Sequence, residues 1–391
     1  MTEPADPQRF DSHLCLVSQQ ATPNLTPLLD LAFRPRRVVM VVTPDMRQRA
    51  RWLEETLRRH RPPLTVECLE VKDAWDMHGV LDTLVGWLDS QPADCSIALN
   101  VTGGTKPMAI AAQQVFAMAG RPVFYVHQAR AEIQWLEPRL PARTLGNRLC
   151  LEDYLHAHGW EVLARPALRA PDAKVAELTR ELVLNIKDRE WAIGKLNGYA
   201  QECERMNWTR INLNPSDKHD GAFMETLKDF ERAGACRLDG DTLSFPDESA
   251  RFFCKGGWLE DYVVELMRGL ATQLGVQDWA AGLKVRSLDN NLKGEGGSNE
   301  LDLAFLAHNR LHLVECKTSN LKDEGSATGA IYKLDALTAL GGLNTTTLMV
   351  SYRKLADGER QRAKDLKIRT CVGTQLATLG ATLGQWVGTR A

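Results

Sequence analysis

Three residues in the last third of the chain, Asp302, Glu315 and Lys317, have the types and spacing for metal-assisted hydrolysis. Glu315 and Lys317 stand two apart in the run RLHLVECKT, so on a strand they share one face while Cys316 points away. Asp302 lies thirteen positions before Glu315, in the run ELDLAFLAHN, among the apolar Leu301, Leu303 and Phe305. The two runs meet at Asn309-Arg310, which leaves room only for a tight turn and predicts an antiparallel pair with Asp302 near Glu315. Two carboxylates and an ammonium inside a sheet are costly without a purpose. Divalent cations supply one, because hard cations take carboxylate oxygens and can activate a water or stabilise the leaving oxygen of a phosphodiester. Lys317 then holds the attacking water or offsets charge building on the phosphate. A lone E-x-K at a strand end commonly just reaches solvent; Asp302 on the neighbouring strand favours a site. Glu300, on the same face as Asp302, reads as an exposed strand-start acid.

A second chemistry belongs to NVTGGTKPMAIAAQ, which runs from a strand through Thr102, Gly103, Gly104, Thr105 and Lys106 into a helix. Glycines let backbone N–H groups approach an anion, and a helix start favours negative charge. The Walker A and dinucleotide-binding spacings are both absent. SQQATPNLTP, directly after the first strand, is the other candidate loop, since ligands of doubly wound sheets bind at strand ends of this kind. Either loop alone also reads as an ordinary strand-to-helix turn; their joint position at the carboxyl ends of strands favours a ligand.

The elements that must position these residues fall into three parts, 1–150, 151–250 and 251–391. In the first, HLCLV, RVVMVVT, LTVECLEV, SIALNVT and PVFYVHQ are strand candidates separated by helical stretches such as 45–60 and 75–88. Alternation of this kind predicts an α/β domain with a parallel sheet. The second part reads as helices over 174–185, 190–206 and 221–233 followed by a hairpin turning at Asp239-Gly240, the pattern of a winged helix or of a helical connector. The third reads as a helix over Trp258–Leu270, the strand AGLKVRSLD, the loop NNLKGEGGSN and the two chemistry-bearing strands. A helix over 329–340, the strand TTTLMVSYR, a basic helix over 359–366 and the strand IRTCVG complete it.

Composition bounds the alternatives. A chain of 391 residues, 44% apolar and 25% charged, is an ordinary globular sequence long enough for two or three domains. The net charge of −2 gives no global attraction to nucleic acid, so such binding needs local patches. The nine cysteines never form C-x-x-C, which indicates neither a zinc site nor a disulfide framework. No apolar run spans a bilayer and MTEPADPQRF does not resemble a signal peptide, so a cytoplasmic location is expected.

ELD followed by LVECK resembles the core of the PD-(D/E)XK restriction-endonuclease-like superfamily, with Leu301 where a proline often precedes the first acid. The resemblance implies metal ligation by Asp302 and Glu315, a catalytic role for Lys317, and a further acid from the preceding helix, matched by Glu260 in GGWLEDYV. The T-G-G-T-K loop is similar to that of CARF domains, which sense the cyclic oligoadenylate of type III CRISPR systems. A Rossmann-like CARF domain, a winged-helix-like middle and a restriction-endonuclease-like end together resemble the CRISPR ancillary nucleases, homodimers activated by cyclic tetra-adenylate. That likeness implies ligand contacts at Ser18, Gln19, Gln20, Asn24, Thr102, Gly103, Gly104, Thr105 and Lys106. It also implies manganese- or magnesium-dependent cutting of single-stranded RNA or DNA, or nicking of supercoiled DNA. Two rival readings are a ligand-sensing winged-helix DNA-binding regulator with an inactive nuclease-like domain, and a constitutive repair or restriction nuclease. The joint presence of Asp302, Glu315 and Lys317 argues against the first.

Overall fold

The central β-branched runs of the front part, around residues 12–16, 37–42 and 97–100, are buried on both faces, as inner strands of a parallel sheet covered by helices must be. In the computed structural model, which describes residues 9–60, 64–146, 149–168, 170, 172–289, 298–318 and 327–388, they form one doubly wound unit. Its elements are β1 (Ser12–Leu16), α1 (Thr22–Leu29), β2 (Arg37–Val42), α2 (Arg47–Arg58), β3 (Thr65–Glu70), α3 (Met77–Asp89), β4 (Ile97–Asn100), α4 (Lys106–Met118) and β5 (Val123–His127). β6 (Glu132–Glu137) and β7 (Arg143–Thr144) add an antiparallel edge, giving the order β3-β2-β1-β4-β5-β6-β7. The order reverses between β1 and β4, so the chain leaves these neighbouring strands in opposite directions and opens a crevice at their carboxyl ends.

After α5 (Leu151–Ala157), β8 (Trp160–Ala164) leaves the front unit and pairs antiparallel with a strand more than a hundred residues later. The middle module then follows. It contains α6 (Ala173–Leu184), α7 (Ile186–Met206), β9 (Arg210–Asn212), α8 (Pro215–Lys218), α9 (Gly221–Arg232), β10 (Arg237–Asp239), β11 (Thr242–Ser244) and α10 (Glu248–Phe252). The small sheet has the order β10-β11-β9, so a strand inserted between helices completes the wing, which is winged-helix topology. The turn between β10 and β11 is Gly240-Asp241, one residue later than the Asp239-Gly240 expected, because Asp239 pairs with Thr242.

The last part opens with a wide turn over Phe253–Gly257 and continues through α11 (Trp258–Leu270), β12 (Val276–Ser287), β13 (Ser298–Ala307) and β14 (Arg310–Lys317). It ends with α12 (Ala327–Leu337), β15 (Thr345–Ser351), α13 (Asp357–Asp365), β16 (Arg369–Val372) and α14 (Leu379–Gly388). The sheet order is β16-β15-β14-β13-β12-β8, so a strand from the segment between the front and middle units supplies its edge. β13 and β14 turn at His308-Asn309, not at Asn309-Arg310: Ala307 pairs with Arg310, and the two turn residues take φ of 52° and 58°. Positive φ at both central positions matches the twist of a two-residue hairpin. The expected loop at 290–299 lies mostly outside the described residues.

This second sheet is buried on both faces, by different partners. Leu311 and Leu313 of β14 join Ala304 and Leu306 of β13 in a core that also contains Cys15, Leu25 and Leu53 of the front unit and Tyr154 of α5. Val314 and Cys316, on the opposite face, pack with α11, α14 and Leu196, Tyr199 and Phe230 of the middle module. Alternation along one strand thus welds three units together.

Gly256 takes φ 134°, and a Cβ there would collide with Thr318 Oγ1, so only glycine lets α11 approach the end of β14. Gly256→Ala is therefore expected to cost about 2 kcal/mol or more, from strain and overpacking together. Gly269→Ala, where the added methyl meets nothing within 4 Å, should be neutral or slightly stabilising in the same denaturant titration.

Three histidines are buried in aromatic surroundings. Burial pushes His13 down to about 3 and His158 and His312 down to about 4. The unfolded chain takes up protons at these rings below about pH 6.5, whereas the folded chain keeps them neutral until far lower, so stability falls as pH falls. Between pH 7 and pH 5 each should cost on the order of 2 kcal/mol. The thermal midpoint should drop accordingly; an unchanged midpoint would contradict the burial of the neutral rings.

Candidate active site and sensor cleft

The register of β13 and β14 runs to Leu303 opposite Val314, and one step further places Asp302 opposite Glu315. Glu315 is 1% exposed, at the carboxyl end of β14 on the face that α12 crosses. Lys333 of α12 donates a hydrogen bond to Glu315 Oε2 at 2.7 Å. Lys317 Nζ stands 2.8 Å from Oε1 as an ion pair. Asp302 Oδ2 accepts the Cys316 backbone N–H at 2.7 Å, which ties the two strands at the site. Glu260, in the first turn of α11, lies near enough for its charge to couple to Asp302 and Lys317.

Charge and burial are in tension here. Burial, then the charge of Asp302, pushes Glu260 up to about 8, although Lys317 draws it back. Burial, then Glu315, pushes Asp302 up to about 6 against the Cys316 N–H and the two lysines. Burial draws Lys317 down, but Glu315 and Asp302 outweigh it and hold the ammonium above its ordinary range. Mutually repelling buried acids that offer hard oxygens suit a divalent cation, so the residues fit a metal. The carboxylates are not drawn into a closed ligand set, however. Among the described residues the one set of acids or thiols with ligand atoms within 4.8 Å is Cys150, Glu152 and Asp278. That set is already closed by Arg165, 2.7 Å from Glu152 and 2.6 Å from Asp278, and is an ion-pair cluster. Glu300 is exposed and 3.5 Å from Lys284, although its charge still reaches Glu260.

At the front, the crevice between β1 and β4 is a cleft of about 780 Å³. Ser18, Gln19, Gln20, Thr102, Gly104 and Thr105 line it. Thr105 caps α4, accepting the Met108 N–H at 3.4 Å and donating to the Ala74 carbonyl at 2.8 Å. Thr102 accepts the Val126 N–H and donates to Asn100, both at 2.7 Å. Asn24 does not face the cleft: it is 1% exposed, donates to the Leu16 carbonyl at 2.8 Å and accepts from Asn100 at 3.1 Å. Gly103 lies so close to β1 that a Cβ would strike the Leu16 carbonyl oxygen. Lys106 is exposed on the first turn of α4, outside the cleft lining.

Sequence reasoning missed four residues here. Lys333 looks like any solvated helix lysine until α12 is laid over β14. Trp75, 73% exposed, and Tyr125, 43% exposed, offer aromatic faces in the cleft. An exposed tryptophan in the short D-A-W-D loop after a strand was the available signal. Arg310 reaches the cleft from β14.

Two family models match the chain: the Card1 CARF domain over residues 12–154 and the Card1-like endonuclease domain over residues 247–389. No curated protein sequence matches it. Among solved structures, protein VC1899 from Vibrio cholerae is 23% identical with a TM-score of 0.87, covering 98% of both chains. Can2 from Sulfobacillus thermosulfidooxidans, in complex with cyclic tetra-adenylate, is 25% identical with a TM-score of 0.81, covering 97% of this chain and all (100%) of its own. A type III CRISPR defence DNA nuclease activated by cyclic oligoadenylate is 22% identical with a TM-score of 0.55, covering 90% of this chain and 46% of that one. The chain joins a Card1-type CARF domain to a Card1-like endonuclease domain, the domain pair of the CRISPR ancillary nucleases.

Proposed function

We propose that the protein is a metal-dependent nuclease of CRISPR antiviral defence, switched on by a cyclic oligoadenylate, cyclic tetra-adenylate first among them. The observation that carries this reading is the convergence of Glu260, Asp302, Glu315 and Lys317 at one end of the second sheet. The likeness to Can2, whose structure holds cyclic tetra-adenylate, supports the choice of ring. The substrate is single-stranded RNA, DNA or both, and the cation manganese or magnesium.

Glu260, Asp302 and Glu315 supply the oxygens for the cation. When bound, the cation would stabilise charge on the phosphodiester oxygens and lower the pKa of a water. Lys317, held by Glu315, keeps its proton and offsets negative charge on the reacting phosphate. Lys333 positions Glu315 and balances its charge. In the cleft, the Thr102–Thr105 loop and the start of α4 take a phosphate of the ring, and Trp75 and Tyr125 stack its bases. A homodimer would set two such clefts around one ring, whose repeated units match a two-fold axis.

The rival DNA-binding regulator needs a basic face on the winged helix. Arg189 and Arg232 are instead tied to Asp229, which leaves α9 with mixed charge.

Asp302→Asn and Glu315→Ala should abolish activated cleavage, while Lys317→Ala should slow it by about 10²–10⁴-fold. Gel-based cleavage with purified full-length variants measures this, and full activity in Asp302→Asn would remove the central claim. In the sensor, Trp75→Ala should weaken ring binding by about 1–3 kcal/mol for the lost base stack. Calorimetry with Asp302→Asn as the unaffected reference measures it, and an unchanged affinity would place the bases elsewhere.

A further inference from the structure

The front cleft is not walled by the front domain alone. Arg310, the first residue of β14 in the nuclease domain, lines it together with residues of the β1, β4 and β5 ends. The side chain is half-buried, and its guanidinium has no carboxylate partner among the described residues. Among the described residues Asp45 is the one acid lining the cleft, and it accepts a hydrogen bond from Thr43. On its other side Arg310 borders a second cavity of about 560 Å³, lined by His308, Lys364, Lys367 and Arg369 and, among the described residues, by no acid. Like charges on that side favour a guanidinium turned to the cleft, where an anion can meet it.

The backbone fixes its place. The turn at His308-Asn309 leaves no slack, and the Arg310 carbonyl is hydrogen-bonded with His312 Nδ1 at 3.1 Å. A half-buried arginine without an acid, beside a loop suited to phosphate and beside exposed aromatics, is built for a phosphodiester, which it can grip with two parallel N–H donors.

We propose that Arg310 binds a phosphate of the cyclic oligoadenylate seated in the front cleft, so that the nuclease domain itself completes the activator site. This rests on the reading of the cleft given above. A ligand touching both domains distinguishes their relative positions, which is the condition for shifting an equilibrium between states. β14 carries the contact onward: Glu315 and Lys317 lie five and seven residues along the same strand, roughly 17–23 Å away at about 3.3 Å per residue.

The test uses the full-length protein, cyclic tetra-adenylate and calorimetry across a range of salt. Arg310→Ala should weaken binding about 10- to 100-fold and lower the slope of log affinity against log salt by about one, and Arg310→Lys should recover part of both. Lys364→Ala, in the second cavity, should bind the ring like the parent protein. A parent protein that binds the ring while Arg310→Ala and Arg310→Lys bind equally well, with an unchanged salt slope, overturns the proposal. A parent protein that does not bind the ring at all overturns the reading of the cleft and this proposal with it. Should Arg310→Ala fail to fold, as judged by its thermal transition, Arg310→Lys alone decides, since it keeps the charge and the stem.

Discussion

The end of the second sheet that carries the candidate site depends on the burial of one charged group. Glu315 is 1% exposed inside a sheet, where an unpaired carboxylate would cost several kcal/mol. Lys317 from the same strand and Lys333 from the helix above it hold the charge there, at 2.8 and 2.7 Å. Three structural demands follow. β14 must present its alternate residues toward α12. α12 must cross at the right height, and β13 must be in register to set Asp302 opposite. Gly256 adds a fourth, because only without a side chain there can α11 bring Glu260 to the same place.

The face of β14 that ends in Glu315 and Lys317 begins beneath the sensor. Leu311 and Leu313 share a core with the front helices, and Arg310 stands in the front cleft. A second contact runs parallel to it: Gln20 of the cleft packs against Gly342, in the segment that follows α12 and its Lys333. Tyr154 fastens that segment by donating to the Gly341 carbonyl at 3.0 Å. On the other face the middle module touches the end of β14, with the Asn197 side chain hydrogen-bonded to Thr318 at 3.2 Å. Packed interfaces of this kind have discrete alternative arrangements, so a shift at the cleft has rigid elements along which to act.

The parts of this arrangement legible in sequence are those fixed by short-range rules. Alternation put Glu315 and Lys317 on one face, and the tight turn put Asp302 beside them, even though the turn itself sits one residue earlier than Asn309-Arg310. That shift came from positive φ at His308 and Asn309; both residue types tolerate the left-handed region, but Asn309 could equally have been the first turn residue as the second. The parallel front sheet was readable from the alternation of apolar runs with helical stretches. β8 and β9, WEVLA and RIN, were not, since strands of five and three residues gain their identity from a distant partner. Lys333 and Arg310 escaped for the same reason: each is an ordinary surface cation in sequence and acquires a role only through tertiary placement. Asn24, implied by resemblance as a ligand contact, sits behind the loop and holds its backbone, a distinction that burial alone makes visible.

The central claim is that cutting requires both the ring in the front cleft and a cation at the far end of β14. The most direct measurement follows labelled single-stranded RNA and DNA with the full-length protein, with and without cyclic tetra-adenylate, and with manganese or with chelator. Cleavage confined to the mixture containing both ring and cation is the predicted result. Equal cleavage without the ring, or undiminished cleavage in chelator, would contradict it.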